Sequence, residues 1–147
     1  MQNDLSYENV TMRFEGRSGA VQALERFDFQ VSSSEFLVIV GPSGCGKSTL
    51  LHLTAGLYKP PTGRILLGGS EVREPGPDKA IVFQNFSLFP WKTVHDNIEF
   101  GLRINGIPPA EREEQIKRVI RLIGLDGFEN HYPRQLSGGM QQRVAIA

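Results

Sequence analysis

A chain of 147 residues suits one domain, and 39% hydrophobic with 22% charged residues is the composition of an ordinary folded globular protein. Lysine plus arginine balance aspartate plus glutamate at 16 each, so no basic bias points to nucleic acid. The single Cys45 excludes an internal disulfide, no Cys/His cluster has zinc-ligand spacing, and no run has the length of a membrane span or the pattern of a signal peptide. These exclusions predict a cytoplasmic protein, one that can still sit on a membrane partner.

The first predicted strand runs over residues 5–14, where Val10, Met12 and Phe14 alternate with polar residues. Glu15-Gly16-Arg17-Ser18-Gly19 predicts a turn, and residues 21–31 a second strand, clearest at Phe27-Asp28-Phe29-Gln30-Val31. Together they predict a hairpin. Phe14, at a strand end, reads from pattern as a core aromatic, with stacking on a base as the alternative.

Phe36-Leu37-Val38-Ile39-Val40 is a short apolar run, the pattern of a strand buried on both faces. Gly41-Pro42-Ser43-Gly44-Cys45-Gly46-Lys47-Ser48-Thr49 follows and fits the phosphate-binding loop pattern G-x-x-x-x-G-K-[ST]. Leu50, Leu51, Leu53 and Leu57 then recur at near-helical spacing, ending at Gly56. Glycines let a loop turn tightly and bring its N–H groups near phosphate oxygens, and the helix start adds unpaired N–H groups and a positive dipole end. Lys47 can place a point charge on the β- and γ-phosphates, and the Ser48 hydroxyl can ligate Mg2+. In this setting Cys45 reads as a small loop residue with no redox role.

Lys59-Pro60-Pro61-Thr62-Gly63 predicts a turn, Arg64-Ile65-Leu66-Leu67 a strand, and Gly68-Gly69 a further turn. After the loop Glu74-Pro75-Gly76-Pro77-Asp78, the run Ala80-Ile81-Val82-Phe83 predicts another buried strand with Gln84 at its end. Ligands of open α/β sheets bind beyond the carboxyl ends of strands, which would let Gln84 share the pocket. Residues 85–92 form a loop rich in large apolar side chains, Phe86, Leu88, Phe89 and Trp91, stiffened by Pro90. Two readings stand equal here: core filling under the next helix, or a docking surface for another protein.

Thr93 predicts an N-cap with Asp96 in the first turn, and Val94, Ile98 and Leu102 give the helix its stripe until Asn105-Gly106 ends it. Pro109 suits the first turn of a second helix whose stripe is Ile116, Val119, Ile120 and Ile123, stopped at Gly124. The charged residues of 111–121 read as its solvated face. His52, His95 and His131 are scattered and suggest no ligand set. Ser137 predicts the N-cap of a last helix beginning Gly138-Gly139-Met140-Gln141, a second anion-friendly helix start, weak when taken alone.

In combination these signals are specific. The phosphate loop, Gln84 and Leu136-Ser137-Gly138-Gly139-Met140-Gln141 stand in the order found in ATP-binding cassette proteins, and the chain resembles an ABC transporter nucleotide-binding subunit over essentially its whole length. Val82-Phe83-Gln84 and Leu88-Phe89-Pro90-Trp91 followed by Thr93-Val94 resemble the importers of nitrate, sulfonate or taurine. The resemblance implies a P-loop NTPase (RecA-like) α/β core with an N-terminal antiparallel β portion and a helical subdomain. It divides the chain into residues 1–92 (core), 93–136 (helical subdomain) and 137–147 (signature helix). It makes Gly41, Pro42, Ser43, Gly44, Cys45, Gly46, Lys47, Ser48 and Thr49 the Walker A loop for ATP. Phe14 becomes the aromatic that stacks on adenine, reversing the core reading. Lys47 and Gln84 become the catalytic contributors, and Ser48 and Gln84 the Mg2+ contacts. Ser137, Gly138, Gly139 and Gln141 would contact the γ-phosphate of ATP held by a second nucleotide-binding subunit, in a head-to-tail dimer. The apolar region 86–91 would lie near the groove that receives a transmembrane permease, with a substrate-binding protein beyond it. The subunit would then be peripheral on the inner face of the plasma membrane.

The family continues past the signature helix to a Walker B aspartate, a catalytic glutamate and a switch histidine, and the present residues stop at Ala147. The expectation is therefore a piece lacking the C-terminal part of the core, which binds ATP weakly and hydrolyses it negligibly. The strand carrying the Walker B aspartate normally lies beside the P-loop strand, so residues 36–40 are expected to present an unpaired apolar edge. Three competing readings remain: a P-loop kinase, which would not need residues 136–141, or a GTPase, which would carry a base-reading motif that is not seen; a non-transport ABC ATPase, which would carry insertions or tandem cassettes; and an ATP-binding or interaction module without turnover.

Overall fold

The alternating N-terminal pattern folds back on itself. β1 (Leu5–Gly16) pairs antiparallel with β2 (Gly19–Val31), in a register that sets Leu5 opposite Val31 and Phe14 opposite Val21. The computed structural model describes residues 4–16 and 19–147, so the turn predicted at residues 15–19 centres on Arg17 and Ser18, outside the described residues. β1 also pairs antiparallel with β3 (Thr62–Leu67), and β3 with the two-residue β4 (Ser70–Glu71), giving a sheet of order β2-β1-β3-β4. The turn predicted at Gly68 and Gly69 joins β3 to β4.

One face of this sheet is closed by α1 (Lys47–Thr54). Tyr7, Val10, Met12 and Ile65 from the strands bury with Leu50 and Leu53 from the helix. The Tyr7 hydroxyl and Thr54 Oγ1 meet at 2.6 Å, so the one polar tip in this core has a partner. The helix stops two residues before Gly56, whose left-handed φ of 75° lets the chain reverse. These elements make one compact unit, Met1–Ile81.

Two sequence expectations fail here. Residues 36–40 and 80–83 do not form strands; the chain is irregular at both places. Residues 36–40 are also not buried: Phe36 is 89% exposed and Val40 84%. The physical reason is pairing. An inner parallel strand takes its backbone hydrogen bonds from neighbours on both sides, and in the sheet order β2-β1-β3-β4 no strand pairs with either run. Among the described residues neither apolar run has a ladder to join.

The second unit, Val82–Ala147, is helical. α2 (Val94–Ile104) and α3 (Pro109–Leu122) pack on each other and are followed by a 3-10 turn (Pro133–Gln135) and α4 (Gly138–Ile146). Val94, Ile98, Ile116, Ile120, Leu125, Leu136 and Val144 are its buried core. The predicted stripes face inward as expected, and truncating Ile116 or Ile120 to alanine should cost about 2–5 kcal/mol. Thr93 caps α2 by accepting the Asp96 N–H, at 3.1 Å. Two more first-turn donors of α2 find backbone partners: the Val94 N–H donates to the His131 carbonyl and the His95 N–H to that of Glu129.

Candidate functional site

The glycine loop is shaped before any ligand is considered. Gly44 and Gly46 have φ of 84° and 94°, the left-handed region that glycine enters without a Cβ penalty. At Gly46 there is a second constraint: an added Cβ would sit 2.5 Å from the Ala23 carbonyl oxygen of β2. The hairpin and the start of α1 therefore meet through a glycine. Gly46 is also the N-cap of α1 and offers no side-chain oxygen, so the first-turn N–H groups are not satisfied by a cap. That is the arrangement an anion can complete.

Lys47 shows the same readiness. Its ammonium donates to the carbonyl oxygens of Gly41 and Pro42, both at 2.7 Å, and lies 3.5 Å from Cys45 Sγ. The side chain is curled over the loop, satisfied by neutral carbonyls that a phosphate oxygen outcompetes through charge. Ser48 is exposed in the first helical turn, where its hydroxyl is accessible to a cation. The residues thus fit a triphosphate with Mg2+: uncapped N–H groups, one ammonium and one free-standing hydroxyl around a glycine loop. Pro42, Ser43, Gly44 and the Cys45 thiol are likewise exposed along the loop.

Phe14 is 36% exposed, and its ring lies edge-on to Tyr58 with centroids 5.5 Å apart. Tyr58 in turn stands edge-on to His52 at 5.2 Å. This aromatic group, just past the end of α1, was not visible in the sequence, where Tyr58 belongs to no pattern. The described ring contact of Phe14 is thus with Tyr58.

Gln84 is exposed at the start of the second unit. The signature residues are brought together there at the start of α4. Ser137 caps the helix by accepting the Met140 N–H at 3.3 Å, as its position predicted. Gly138 lies over Phe86, whose Cζ would be 3.7 Å from a Cβ there. Ser137, Gly138 and Gly139 are exposed. Gln141 turns back, its Nε2 donating to the Leu136 carbonyl at 3.1 Å, so it braces the entry to the helix. Arg143, which sequence reasoning passed over, donates through Nη1 to the Ile123 carbonyl at the end of α3.

The aromatic loop 85–92 and the start of α2 hold two further groups that the sequence reading missed. One is Asn97, whose side-chain amide bonds the loop backbone at several points. The other is His95, read as isolated. Its Nε2 is 3.0 Å from Glu113 Oε2 and its Nδ1 3.4 Å from Asp96 Oδ1, so it bridges α2 and α3. Partial burial works to lower the His95 pKa, but the hydrogen bonds and charges of Glu113 and Asp96 outweigh it and the net shift is upward. The Glu113 carboxyl is lowered in return, by its bonds to His95 and Lys117. Potential ligand atoms of His95, Asp96 and Glu99 lie within 4.8 Å of one another, yet the Arg112 guanidinium already occupies Glu99 at 2.8 Å.

Comparison with known proteins bears on all of this. The family model described as ABC transporter matches residues 24–147. An uncharacterized ABC transporter ATP-binding protein of Methanocaldococcus jannaschii is 52% identical over 147 residues, which is 100% of this chain and 55% of that protein. A nitrate import ATP-binding protein of Synechocystis is 48% identical, covering 97% of this chain and 54% of its own length. A taurine import ATP-binding protein of Pelagibacter ubique is 44% identical, with 99% and 55% covered. The chain thus spans about half the length of the curated relatives it matches. Among solved structures, a dimeric ATP-binding cassette in a post-hydrolysis state bound to ADP and Pi aligns with a TM-score of 0.84 and 32% identity, over 97% of this chain and 67% of that one.

Proposed function

The chain belongs to the ABC transporter family, and on that footing we propose that it is the ATP-binding portion of an importer subunit whose ATP hydrolysis drives uptake of a small solute of the nitrate, sulfonate or taurine type. The observation that carries the reading is the Lys47 ammonium held on the Gly41 and Pro42 carbonyls above an uncapped helix start. Bound MgATP would supply the phosphoryl group and, through the metal, the charge neutralisation that its transfer needs. Lys47 would exchange its two carbonyls for phosphate oxygens, the N–H groups of 44–49 would line the anion, Ser48 would turn its hydroxyl to the metal, and Phe14 would stack on the base. Gln84 is assigned to the metal or the attacking water.

Ser137, Gly138 and Gly139 are assigned to a second subunit's ATP, because they form an exposed, serine-capped helix start of their own. One chain then serves two ATP molecules in a head-to-tail dimer, in keeping with the dimeric cassette it resembles. Residues 93–136 act as the helical subdomain and 137–147 as the signature helix. The exposed Trp91, with Phe89 behind it, is assigned to docking on the membrane permease, which would place the subunit on the inner face of the plasma membrane. Turnover needs a carboxylate on Mg2+ and one on the attacking water.

The test is titration of the protein with MgATP by calorimetry, alongside Lys47→Ala. Saturable binding that the substitution weakens by roughly ten- to a hundredfold is expected. Equal binding by the variant would overturn the assignment. Co-purification of the protein with an integral-membrane permease from its native membranes tests the transport half.

A further inference from the structure

We propose that Asn97 is a positioning residue: it locks the turn Phe89-Pro90-Trp91-Lys92 into the shape that presents Trp91 for docking. The inference rests on the docking role just proposed for Trp91. The turn is closed by the Lys92 N–H donating to the Phe89 carbonyl at 3.0 Å, with Pro90 at the position where its fixed φ helps and Trp91 at the apex. Trp91 is 71% exposed there.

The Asn97 side chain, on the first turn of α2, clamps both ends of this turn. Its Oδ1 accepts the Phe89 N–H at 2.8 Å. Its Nδ2 faces three carbonyl oxygens: Thr93 at 2.8 Å, Lys92 at 3.1 Å and Phe89 at 3.3 Å. These neighbours fix the amide's orientation, since a flip would set its oxygen against three carbonyls and its NH2 against an N–H. No other residue type serves as well. Aspartate matches the shape but carries no donor and would repel the carbonyls. Alanine leaves the Phe89 N–H without its partner.

Packing completes the clamp. The Phe89 ring is wedged between Phe100, centroid 4.5 Å away, and Trp91, at 5.7 Å. A tip held this way presents its aromatic without an ordering cost on association, which is how a small turn becomes an affinity hot spot. Asn97 touches no partner in this scheme; it acts through Phe89 and Trp91.

The experiment uses the full-length protein and its permease, co-purified from native membranes in detergent. Permease affinity is measured for Asn97→Asp, Trp91→Ala and the double variant, with MgATP affinity as control. Trp91 is the sole tryptophan, so acrylamide quenching of its fluorescence reads the turn directly. N97D is expected to weaken permease binding about tenfold and raise quenching, with MgATP affinity unchanged. The double variant should bind no worse than W91A, because Asn97 acts only through the turn. Losses that simply add, or unchanged affinity and quenching in N97D, overturn the assignment of Asn97. Full affinity in W91A overturns the docking role itself. If N97D fails to give a cooperative melt, Asn97→Ser, which removes the clamp without adding charge, takes its place under the same outcomes.

Discussion

Lys47 Nζ lies 2.7 Å from the carbonyl oxygen of Gly41, and the same distance from that of Pro42. The ammonium is thus parked on its own loop, with its hydrogen-bonding satisfied by dipoles. Exchanging them for a phosphate replaces neutral acceptors by charged ones, in hydrogen bonds of the class worth about 1.5–3 kcal/mol. Lys47→Ala should therefore weaken MgATP binding by roughly ten- to a hundredfold, measured by calorimetry. Lys47→Arg should not restore it, because a planar fork cannot reach back over the loop as a point charge does.

The glycine loop predicts a graded pair. Gly44 and Gly46 both have positive φ, but a Cβ at Gly44 meets nothing within 4 Å, whereas one at Gly46 meets the Ala23 carbonyl at 2.5 Å. Gly44→Ala should cost only the left-handed backbone, about 1–2 kcal/mol. Gly46→Ala should cost more and push α1 away from β2. The sole tryptophan is in the other unit, so the readout is hydrogen exchange at the amides of β2 and α1. Equal protection loss in the two variants would show that contact with Ala23 is unimportant.

These two sites also show what sequence can carry. The hairpin, the helix caps at Thr93 and Ser137 and the apolar stripes of α2 and α3 were legible because each is set by residues close along the chain. Residues 36–40 and 80–83 were misread because strand formation depends on what lies beside a segment, which its own text does not contain. Asn97, Tyr58 and Arg143 were missed for a related reason. An asparagine in a helix, a tyrosine in a turn and an arginine in a polar stretch have no periodicity to mark them, and their roles come from partners up to 44 residues away or from a carbonyl exposed by another helix's end.

His95 predicts a pH dependence. Its folded pKa lies above the ordinary 6.5, so the stability from its pairing is fully present below 6.5 and is lost as pH rises through the raised value. Glu113 and Asp96 are lowered from 4.5 and 3.8, so their share is present above those values and is lost as pH falls through the depressed ones. The helical unit should be most stable between about pH 5 and 6 and soften toward pH 8. Melting followed by Trp91 fluorescence checks this. His95→Gln should flatten the alkaline side, and a variant that softens identically would assign the effect to another group.

Ser137 separates two roles that one residue can hold. As the N-cap accepting the Met140 N–H, its loss to alanine should cost about 0.5–2 kcal/mol of stability in the helical unit. As a proposed contact for a second subunit's ATP, its replacement by arginine should block MgATP-dependent dimerisation and leave binding by the monomer unchanged. Sedimentation with and without MgATP, beside calorimetry on the monomer, distinguishes them. Equal loss of monomer binding would refute the assignment to a second subunit.

The exposed run 36–40 carries the last prediction. Phe36, Val38 and Val40 present apolar side chains and backbone groups outside any ladder of the sheet, which is the template that recruits another chain. A polypeptide of these 147 residues should therefore associate with itself as concentration rises, and light scattering over a dilution series reads it. Val38→Lys places a charge in the middle of the run, on a side chain that buries nothing in the sheet core. It should suppress association while leaving hydrogen-exchange protection in β1 and β2 intact. Were the unsubstituted chain to stay monomeric throughout the series, the run would have to find its cover within the chain itself, and its exposure could not be the source of association.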